Sequence, residues 1–243
     1  KGEMKDLIEA TVITIEQFKQ FDQMQKIRLI VLANIEKLED SMSQKLKIFL
    51  DNGGGLLICG GNRVDISWYN QNWGSSGSGF LPMPIDSLKG DLNNELSHSK
   101  ITNSFFEHPA LAMFNDPRNG SLSEAHIKKW FKMNESITRN DPKVTVLARL
   151  HNGDAILTEK KVGKGVVMFL GTTIDTDWTN LPARPSYLPF VQQLATYLSE
   201  KVLPPQTVNA GLPLAYYLSE EEAQLEYELT TPKGVNQKLI PRK

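Results

Sequence analysis

Short apolar runs and one helical pattern define the beginning of the chain. Residues 27–34 are rich in β-branched and aliphatic side chains and end in a turn former, which is typical of a buried parallel strand. Apolar residues then recur on one helical face after Asp40, and Asn52-Gly53 provides a left-handed stop. Residues 56–59 form the next apolar run. Strand, helix and strand at this spacing predict a right-handed βαβ unit.

Three apolar runs in the second half predict an antiparallel meander, because tight-turn sequences separate them. They are residues 144–150, 155–161 and 165–170. Residues 187–202 then carry apolar side chains at helical spacing, and the prolines that follow stop this helix. After residue 205, apolar and polar residues alternate in part. We therefore predict an α/β domain over residues 1–205 and a partial β appendage or linker over residues 206–243.

Three weaker patterns lie between these elements. Residues 11–15 are all β-branched and predict an early strand. Residues 105–111 carry a proline that suits a first helical turn, so they predict a short helix. The aromatic residues Trp68, Tyr69 and Trp73 either line a ligand site or pack a short helix onto the sheet, and packing is the favoured interpretation.

Composition narrows the function classes. The formal net charge of −1 gives no reason to expect a nucleic acid partner. The one cysteine, Cys59, excludes an internal disulfide and a zinc site of the Cys-x-x-Cys type. No apolar stretch approaches the roughly 18 residues that a membrane helix needs. Both ends of the chain are interpreted as cut points in a longer protein, so an anchor could lie in the flanks.

Several ordered stretches also carry a family resemblance. They are residues 29–34, 53–58, 62–65, 146–154, 163–165 and 175–185. In this order they resemble the extracytoplasmic class I glutamine amidotransferase-like domain of bacterial membrane proteins related to BatA. Those proteins carry an N-terminal double transmembrane segment and often a von Willebrand factor A domain. The resemblance covers residues 27 to 203.

The resemblance implies an α/β fold: a three-layer class I amidotransferase-like (flavodoxin-like) sheet with an antiparallel extension and a small C-terminal β appendage. It also implies an extracytoplasmic (periplasmic) place in an inner-membrane protein, with other domains or subunits of a membrane complex as partners. It does not imply glutamine hydrolysis, because function depends on the site rather than on the fold.

Cys59 stands where such a domain presents its nucleophile. An amidotransferase also needs a sharp strand-to-helix turn and a histidine within hydrogen-bond reach of the thiol. The turn expects glycine where Ile58 stands, and residues 62–65 favour a loop over a helix. The later strand that should deliver the histidine ends at Gly171 and is followed by threonines and Asp175. We therefore predict that Cys59 is an inert core thiol.

The chain has four histidines at other positions: His98, His108, His126 and His151. We expect His108, which precedes a proline, and His151, which lies in a hairpin turn, to be surface residues. Asp175 and Asp177 form a pair of the kind that hard cations use. Hydrogen bonding within a turn explains this pair better, so no metal and no other cofactor is predicted.

The loops that follow the predicted strands define a candidate cleft. It consists of Cys59, Asn62, Asp65, Asp175, Asp177 and Trp178. Three functions remain open for the domain. The favoured one is a non-catalytic module for protein interaction or ligand sensing. The alternatives are a cryptic cysteine-dependent hydrolase or amidotransferase that uses Cys59, and a carbohydrate-binding domain whose tryptophans stack on sugar rings.

Overall fold

The computed structural model describes residues 9–74, 77–136, 138, 141–200, 227–230 and 236–239. The chain divides into two compact units, Lys1–Val202 and Leu203–Lys243. The helices are α1 (Ile15–Gln20), α2 (Asp40–Asp51), α3 (Ile66–Trp68) and α4 (Tyr187–Glu200). A π-helical turn (Tyr69–Trp73) directly continues α3. The strands of the first unit are β1 (Leu29–Ala33), β2 (Gly55–Cys59), β3 (Ile85–Gly90), β4 (Ser99–Lys100), β5 (His126–Ile127), β6 (Lys129–Met133), β7 (Val144–Arg149), β8 (Ala155–Val162) and β9 (Gly165–Leu170).

A five-stranded mixed sheet with the order β1-β2-β9-β8-β7 forms the centre of the first unit. Strands β1, β2 and β9 run parallel, whereas β8 and β7 continue the sheet in antiparallel pairing. The segment β1-α2-β2 is the predicted βαβ unit, and β7, β8 and β9 are the predicted meander. The α/β fold with an antiparallel extension is therefore confirmed.

Two apolar clusters make the fold three layers deep. Leu57, Cys59 and Met168 lie on one face of the sheet, where buried residues of α4 such as Leu194 and Leu198 cover them. Alternate residues of the same strands point to the other face. There Leu56, Ile58, Val167 and Phe169 pack with buried residues of α2 and of the α3 region. Strands β2 and β9 are buried on both faces, as their continuous apolar sequences predict.

The early strand predicted over residues 11–15 is wrong. Residues 11–14 have no regular structure, and α1 begins at Ile15. A capping box explains the difference, because the Thr14 hydroxyl accepts from the Gln17 N–H while the Gln17 side chain accepts from the Thr14 N–H. These reciprocal bonds favour a helix start over continuation of a β-branched strand.

The short helix predicted to begin within residues 105–111 is confirmed in part. Residues 108–111 form a turn that contains Pro109, and a 3-10 helix follows at Ala112–Asn115, whereas residues 105–107 have no regular structure. The side chain of Asn115 accepts from the Phe106 N–H at 2.8 Å and donates to the Phe106 C=O at 2.9 Å. These two bonds use the backbone groups that a helix through Phe106 would need.

The aromatic group around α3 packs as favoured from the sequence. Tyr69 and Trp73 are fully buried, and their rings meet edge to face at 4.8 Å. The Tyr69 hydroxyl donates to the Ile35 carbonyl at 2.8 Å, and the Trp73 indole N–H donates to the Ser43 hydroxyl at 3.2 Å. Each aromatic side chain thus has a partner for its polar atom inside the layer formed by α2 and α3.

The second unit contains the small β appendage expected at the C-terminus. Strands β10 (Tyr227–Thr230) and β11 (Asn236–Leu239) pair antiparallel, with Tyr227 opposite Leu239. The predicted boundary at residue 205 lies outside the described residues, as does the end of the helix predicted to residue 202.

Candidate functional site

Cys59 is the last residue of β2 and lies between the ends of two neighbouring parallel strands. Its register partners are Ala33 of β1 and Leu170 of β9. The residue is only 1% exposed and belongs to the cluster beneath α4. Its carbonyl accepts from the Asn34 N–H at 3.2 Å. The thiol is therefore a packed part of the sheet.

Burial also controls the ionisation of this thiol. Loss of solvation and, to a smaller extent, the nearby negative charge of Asp175 together raise the pKa of Cys59 to about 12. Only the thiolate is a strong nucleophile, and reactive cysteines reach it through a lowered pKa. The environment of Cys59 shifts the pKa in the opposite direction, so the thiol stays protonated at neutral pH.

The backbone next to Cys59 extends the sheet ladder. In the nucleophile elbow of α/β-hydrolases, the N–H of the residue after the nucleophile helps to bind the oxyanion. Here that residue is Gly60, and its N–H donates to the Leu170 carbonyl at 2.9 Å. The donor that would stabilise a transition state is thus already used in the fold.

Strand β6 covers the carboxyl ends of β2 and β9. The Phe131 N–H donates to the Gly171 carbonyl at 2.7 Å. A Cβ atom added to Gly60 would lie 3.0 Å from the Phe131 ring, so Phe131 rests directly on this glycine. Trp178 then packs edge to face on Phe131 at a centroid distance of 5.3 Å. We call Phe131 and Trp178 the aromatic cover.

The sequence predicts one residue of the aromatic cover, Trp178, but not the other. It places Trp178 in the candidate cleft, whereas the side chain is 2% exposed and its ring faces Phe131 and the Lys129 ammonium group. Phe131 was not singled out. Its signal in the sequence is an apolar and aromatic run over residues 129–133, which predicts a strand but not where that strand lies.

Asp175 and Asp177 form a hydrogen-bonded turn after β9. The Asp175 carboxylate accepts from the Asp177 N–H at 2.9 Å. In the same turn, the Thr173 hydroxyl accepts from the Trp178 N–H at 3.1 Å. Among the described residues, no three His, Cys, Asp or Glu side chains are grouped as metal ligands. Asp175 thus acts as the turn interpretation expects.

Asn62 and Asp65 organise the loop after β2. Asn34 has a positive φ of 53° and reaches into this loop. Its side-chain amide donates to the Asn62 Oδ1 at 2.9 Å, and its Oδ1 accepts from the Arg63 N–H at 2.9 Å. Asp65 caps α3 by accepting from the Trp68 N–H at 3.0 Å. Residues 62–65 are therefore a loop, as predicted.

The aromatic residues considered for sugar stacking are mostly inside the protein. Tyr69, Trp73 and Trp178 are buried, and Trp68 is half-buried against the first two. Sugar recognition by stacking needs an accessible ring face. Of these four side chains, Trp68 alone is not fully buried.

The structure places His108 in a different environment from the one expected. His108 was predicted at the surface, but its Nε2 lies 3.4 Å from the Glu159 carboxylate and 3.3 Å from the Tyr197 hydroxyl. Its ring packs edge to face on Tyr197. Burial and the Glu159 charge raise the pKa of Tyr197. This group of three titratable residues, on β8, α4 and the 108–111 turn, was not recognised from the sequence.

The other three histidines lie away from β2. His98 contacts the Asp91 carbonyl, and His126 belongs to β5. Burial and the positive charge of Lys100 lower the pKa of His126. His151 is exposed in the turn between β7 and β8, as expected.

Comparisons with known proteins support the fold and leave the chemistry open. No family model and no curated protein matches the chain. Two solved structures from Salmonella typhimurium, titled cytoplasmic proteins STM1381 and STM3548, are similar to it. STM1381 has a TM-score of 0.55 at 17% identity, covering 81% of each chain. STM3548 has a TM-score of 0.54 at 15% identity, covering 78% of this chain and 76% of that one.

A larger enzyme contains a similar fold within its length. The β-galactosidase of Bacillus circulans sp. alkalophilus matches with a TM-score of 0.50 at 10% identity. The match covers 75% of this chain but only 24% of the enzyme. At these identities the likeness shows the α/β fold alone.

Within the described residues, no helix is long and apolar enough to cross a membrane.

Proposed function

We propose that this chain is a non-catalytic amidotransferase-like module that acts through protein contacts. The observation that carries the proposal is the aromatic cover. Ligands of open α/β sheets bind beyond the carboxyl ends of the strands. At β2 and β9 this position is filled by Phe131, which lies on Gly60 and bonds to Gly171.

The environment of Cys59 supports the same proposal. A cysteine hydrolase needs an ionisable thiol, a base and a free oxyanion donor. Burial raises the pKa of Cys59 to about 12, and the Gly60 N–H is bonded to Leu170. His108 contacts Glu159 and Tyr197 on a different part of the sheet. The fold is thus of the enzyme type, whereas the groups needed for the chemistry serve structural roles.

A glutamine hydrolysis assay tests the proposal directly. Ammonia release from glutamine would be measured with the unchanged chain and with Cys59→Ala, which keeps the buried position apolar. We expect both proteins to release ammonia at the rate of the buffer alone. Release that depends on Cys59 would refute the non-catalytic role and favour the cryptic amidotransferase.

The resemblance to BatA-related proteins supplies the proposed setting. In that setting the module faces the periplasm, belongs to a membrane-anchored protein and contacts other subunits of a membrane complex. The similar Salmonella proteins are titled cytoplasmic, so the location needs its own test. In the full-length protein, a cysteine-reactive reagent that cannot cross membranes should modify Phe105→Cys, because residue 105 is exposed. Protection of this residue in intact spheroplasts would contradict the periplasmic location.

A further inference from the structure

We infer that the outer edge of β1 is a self-association surface, which pairs antiparallel with β1 of a second copy of this chain. This inference goes beyond the proposed function, because a chain could dimerise whether or not Cys59 is catalytic. It rests on the hydrogen-bonding groups of β1, on the contrast between the two edges of the sheet, and on the charges that flank the strand.

The backbone groups of β1 alternate between β2 and the outside. The Gly55 N–H donates to the Arg28 carbonyl at 2.9 Å, and the Asn34 N–H donates to the Cys59 carbonyl at 3.2 Å. Residues 28 and 34 therefore face β2, and the regular parallel register places residues 30 and 32 with them. The N–H and C=O groups of Leu29, Val31 and Ala33 consequently point away from the sheet.

Nothing in the sequence of β1 protects this edge. Natural sheets block exposed edges with charged side chains, proline or β-bulges. The strand reads Leu-Ile-Val-Leu-Ala, and its register with β2 is uninterrupted. Val31 is 46% exposed, and Ala33 is also exposed. Among the strands that the structure describes, β1 pairs with β2 alone.

The opposite edge of the sheet is protected. Strand β7 has register shifts between Val146 and Ala148 and again at Arg149. The Thr102 N–H donates to the Arg149 carbonyl at 2.8 Å, so a neighbouring segment covers the end of this strand. The Arg149 guanidinium also pairs with Glu135. Within the part of the chain that the structure describes, β7 thus carries several features that prevent strand addition, whereas β1 carries none of them.

The edge of β1 is complementary to its own copy. Antiparallel pairing about a two-fold axis at Val31 places Val31 opposite Val31 of the second copy, and Leu29 opposite Ala33. All three residues offer outward N–H and C=O groups, so each of these pairs can exchange two hydrogen bonds. A β-branched pair at the centre and a large residue opposite a small one suit cross-strand packing.

Flanking charges favour the same antiparallel arrangement. Two exposed basic residues, Lys26 and Arg28, lie just before β1 in the sequence. Residues 34–40 follow it and carry three acidic side chains and one lysine, and one of the acids, Glu39, already pairs with Lys19 of the same chain. Antiparallel pairing brings the basic flank of one copy near the acidic flank of the other, whereas parallel pairing would bring like charges together. The second copy is therefore a better fit than an arbitrary strand.

Sedimentation velocity with two variants tests the inference. We expect the chain to dimerise reversibly at concentrations of about 1 to 100 μM, as a small interface would. Val31→Pro removes an outward N–H without removing a bond to β2, and should weaken the dimer by about tenfold or more. Val31→Thr keeps the β-branched shape and the N–H, and should change the dimer constant by less than about threefold. A monomer throughout this range, or a dimer that Val31→Pro does not weaken, would overturn the inference.

Cross-linking tests the register independently of the proline variant. A hydrogen-bonded antiparallel pair has Cα atoms about 5.5 Å apart, which a disulfide can span. Mild oxidation should therefore link Val31→Cys into a dimer, since the native Cys59 is buried. Val12→Cys, at a position that is 97% exposed, is the control for random collision. Equal cross-linking of the two variants would count against pairing at β1, and cross-linking with another protein alone would assign the edge to a different partner.

Discussion

At the residue scale, Cys59 is a buried part of the core at the end of β2. Its thiol is packed beneath α4, its carbonyl bonds to Asn34, and the N–H of Gly60 bonds to Leu170. Each of these contacts stabilises the sheet. The packing limits access to the thiol, and the bond to Leu170 occupies the Gly60 N–H, so both contacts support the proposed non-catalytic role.

Alkylation of Cys59 measures this environment. The thiol pKa rises from a usual value of 9.0 to about 12. At pH 8 this shift lowers the thiolate population about a thousandfold, because each pKa unit is a factor of ten. We expect iodoacetamide to modify the folded chain at least about a thousandfold more slowly than the urea-unfolded chain, as followed by intact mass. Labelling of the folded chain within about tenfold of the unfolded rate would show an accessible thiol whose pKa burial does not raise.

The candidate residues divide into those whose surroundings the sequence could predict and those whose surroundings it could not. Local signals were sufficient for Asp175, because the short spacing in Asp-x-Asp implies an aspartate that accepts from nearby N–H groups. His108 was misplaced, because its partners Glu159 and Tyr197 are distant in sequence and meet it only through tertiary packing. No local pattern encodes such a contact.

At the element scale, glycines let α4 and the sheet approach closely. A Cβ atom added to Gly55 would lie 2.5 Å from the Leu198 carbonyl oxygen, so α4 packs directly on the start of β2. The glycine run was interpreted from the sequence as a family feature and a helix stop. The structure adds a packing reason, since backbone approaches backbone at this position.

Gly55→Ala should therefore destabilise the fold more than its small size indicates. A methyl group there must move α4 or β2, and overpacking of this kind costs about 1 to 3 kcal/mol. Gly153→Ala is the matched control, because Gly153 has a φ of +90° but no atom within 4 Å of an added Cβ. Gly153→Ala should lower the free energy of unfolding by about 1 kcal/mol, through backbone strain alone. Urea unfolding of both variants would compare them, and a Gly55→Ala effect no larger than that of Gly153→Ala would contradict the packing argument.

Elements with strong periodicity were predicted well, and elements set by side-chain caps were not. The parallel strands, the meander and α4 followed directly from apolar patterns. The burial predicted for β1 was wrong, because β1 is an edge strand with Val31 and Ala33 exposed. The start of α1 depended on the reciprocal bonds of Thr14 and Gln17, which overrode the β-branched run before it. The position of β6 over Gly60 could not be derived, because a run of apolar residues does not specify which part of the core it covers.

At the scale of the whole molecule, the native state buries several weak acids in their neutral forms. Burial is the main cause that raises the pKa values of Cys59, Tyr69, Tyr187 and Tyr197. These residues lie on β2, in the α3 region and on α4, so both apolar clusters beside the sheet contain at least one of them. Each group favours folding while it remains protonated in both states. Stability should therefore respond to alkaline pH as a property of the entire fold.

The expected response follows from the direction of these shifts. When the folded pKa is raised, the stabilisation is fully present below the unfolded pKa and is lost as the pH rises toward the folded value. For Cys59 this interval runs from 9.0 to about 12. Within this interval Cys59 lowers the free energy of unfolding by up to about 1.4 kcal/mol per pH unit. The tyrosines begin to contribute only near their usual pKa of 10.0. We expect urea unfolding between pH 8 and pH 11 to show a steep decline in stability.

Two variants separate this linkage from general alkaline damage. Cys59→Ala and Tyr197→Phe each remove one buried acid, so each should reduce the slope of stability against pH by about one proton's contribution. At pH 8 both variants are expected to be less stable than the unchanged chain, because they lose packing or a hydrogen bond. The difference should then shrink as the pH rises. A constant difference from pH 8 to pH 11 would mean that these groups titrate alike in the folded and unfolded chains, and that burial does not hold them neutral.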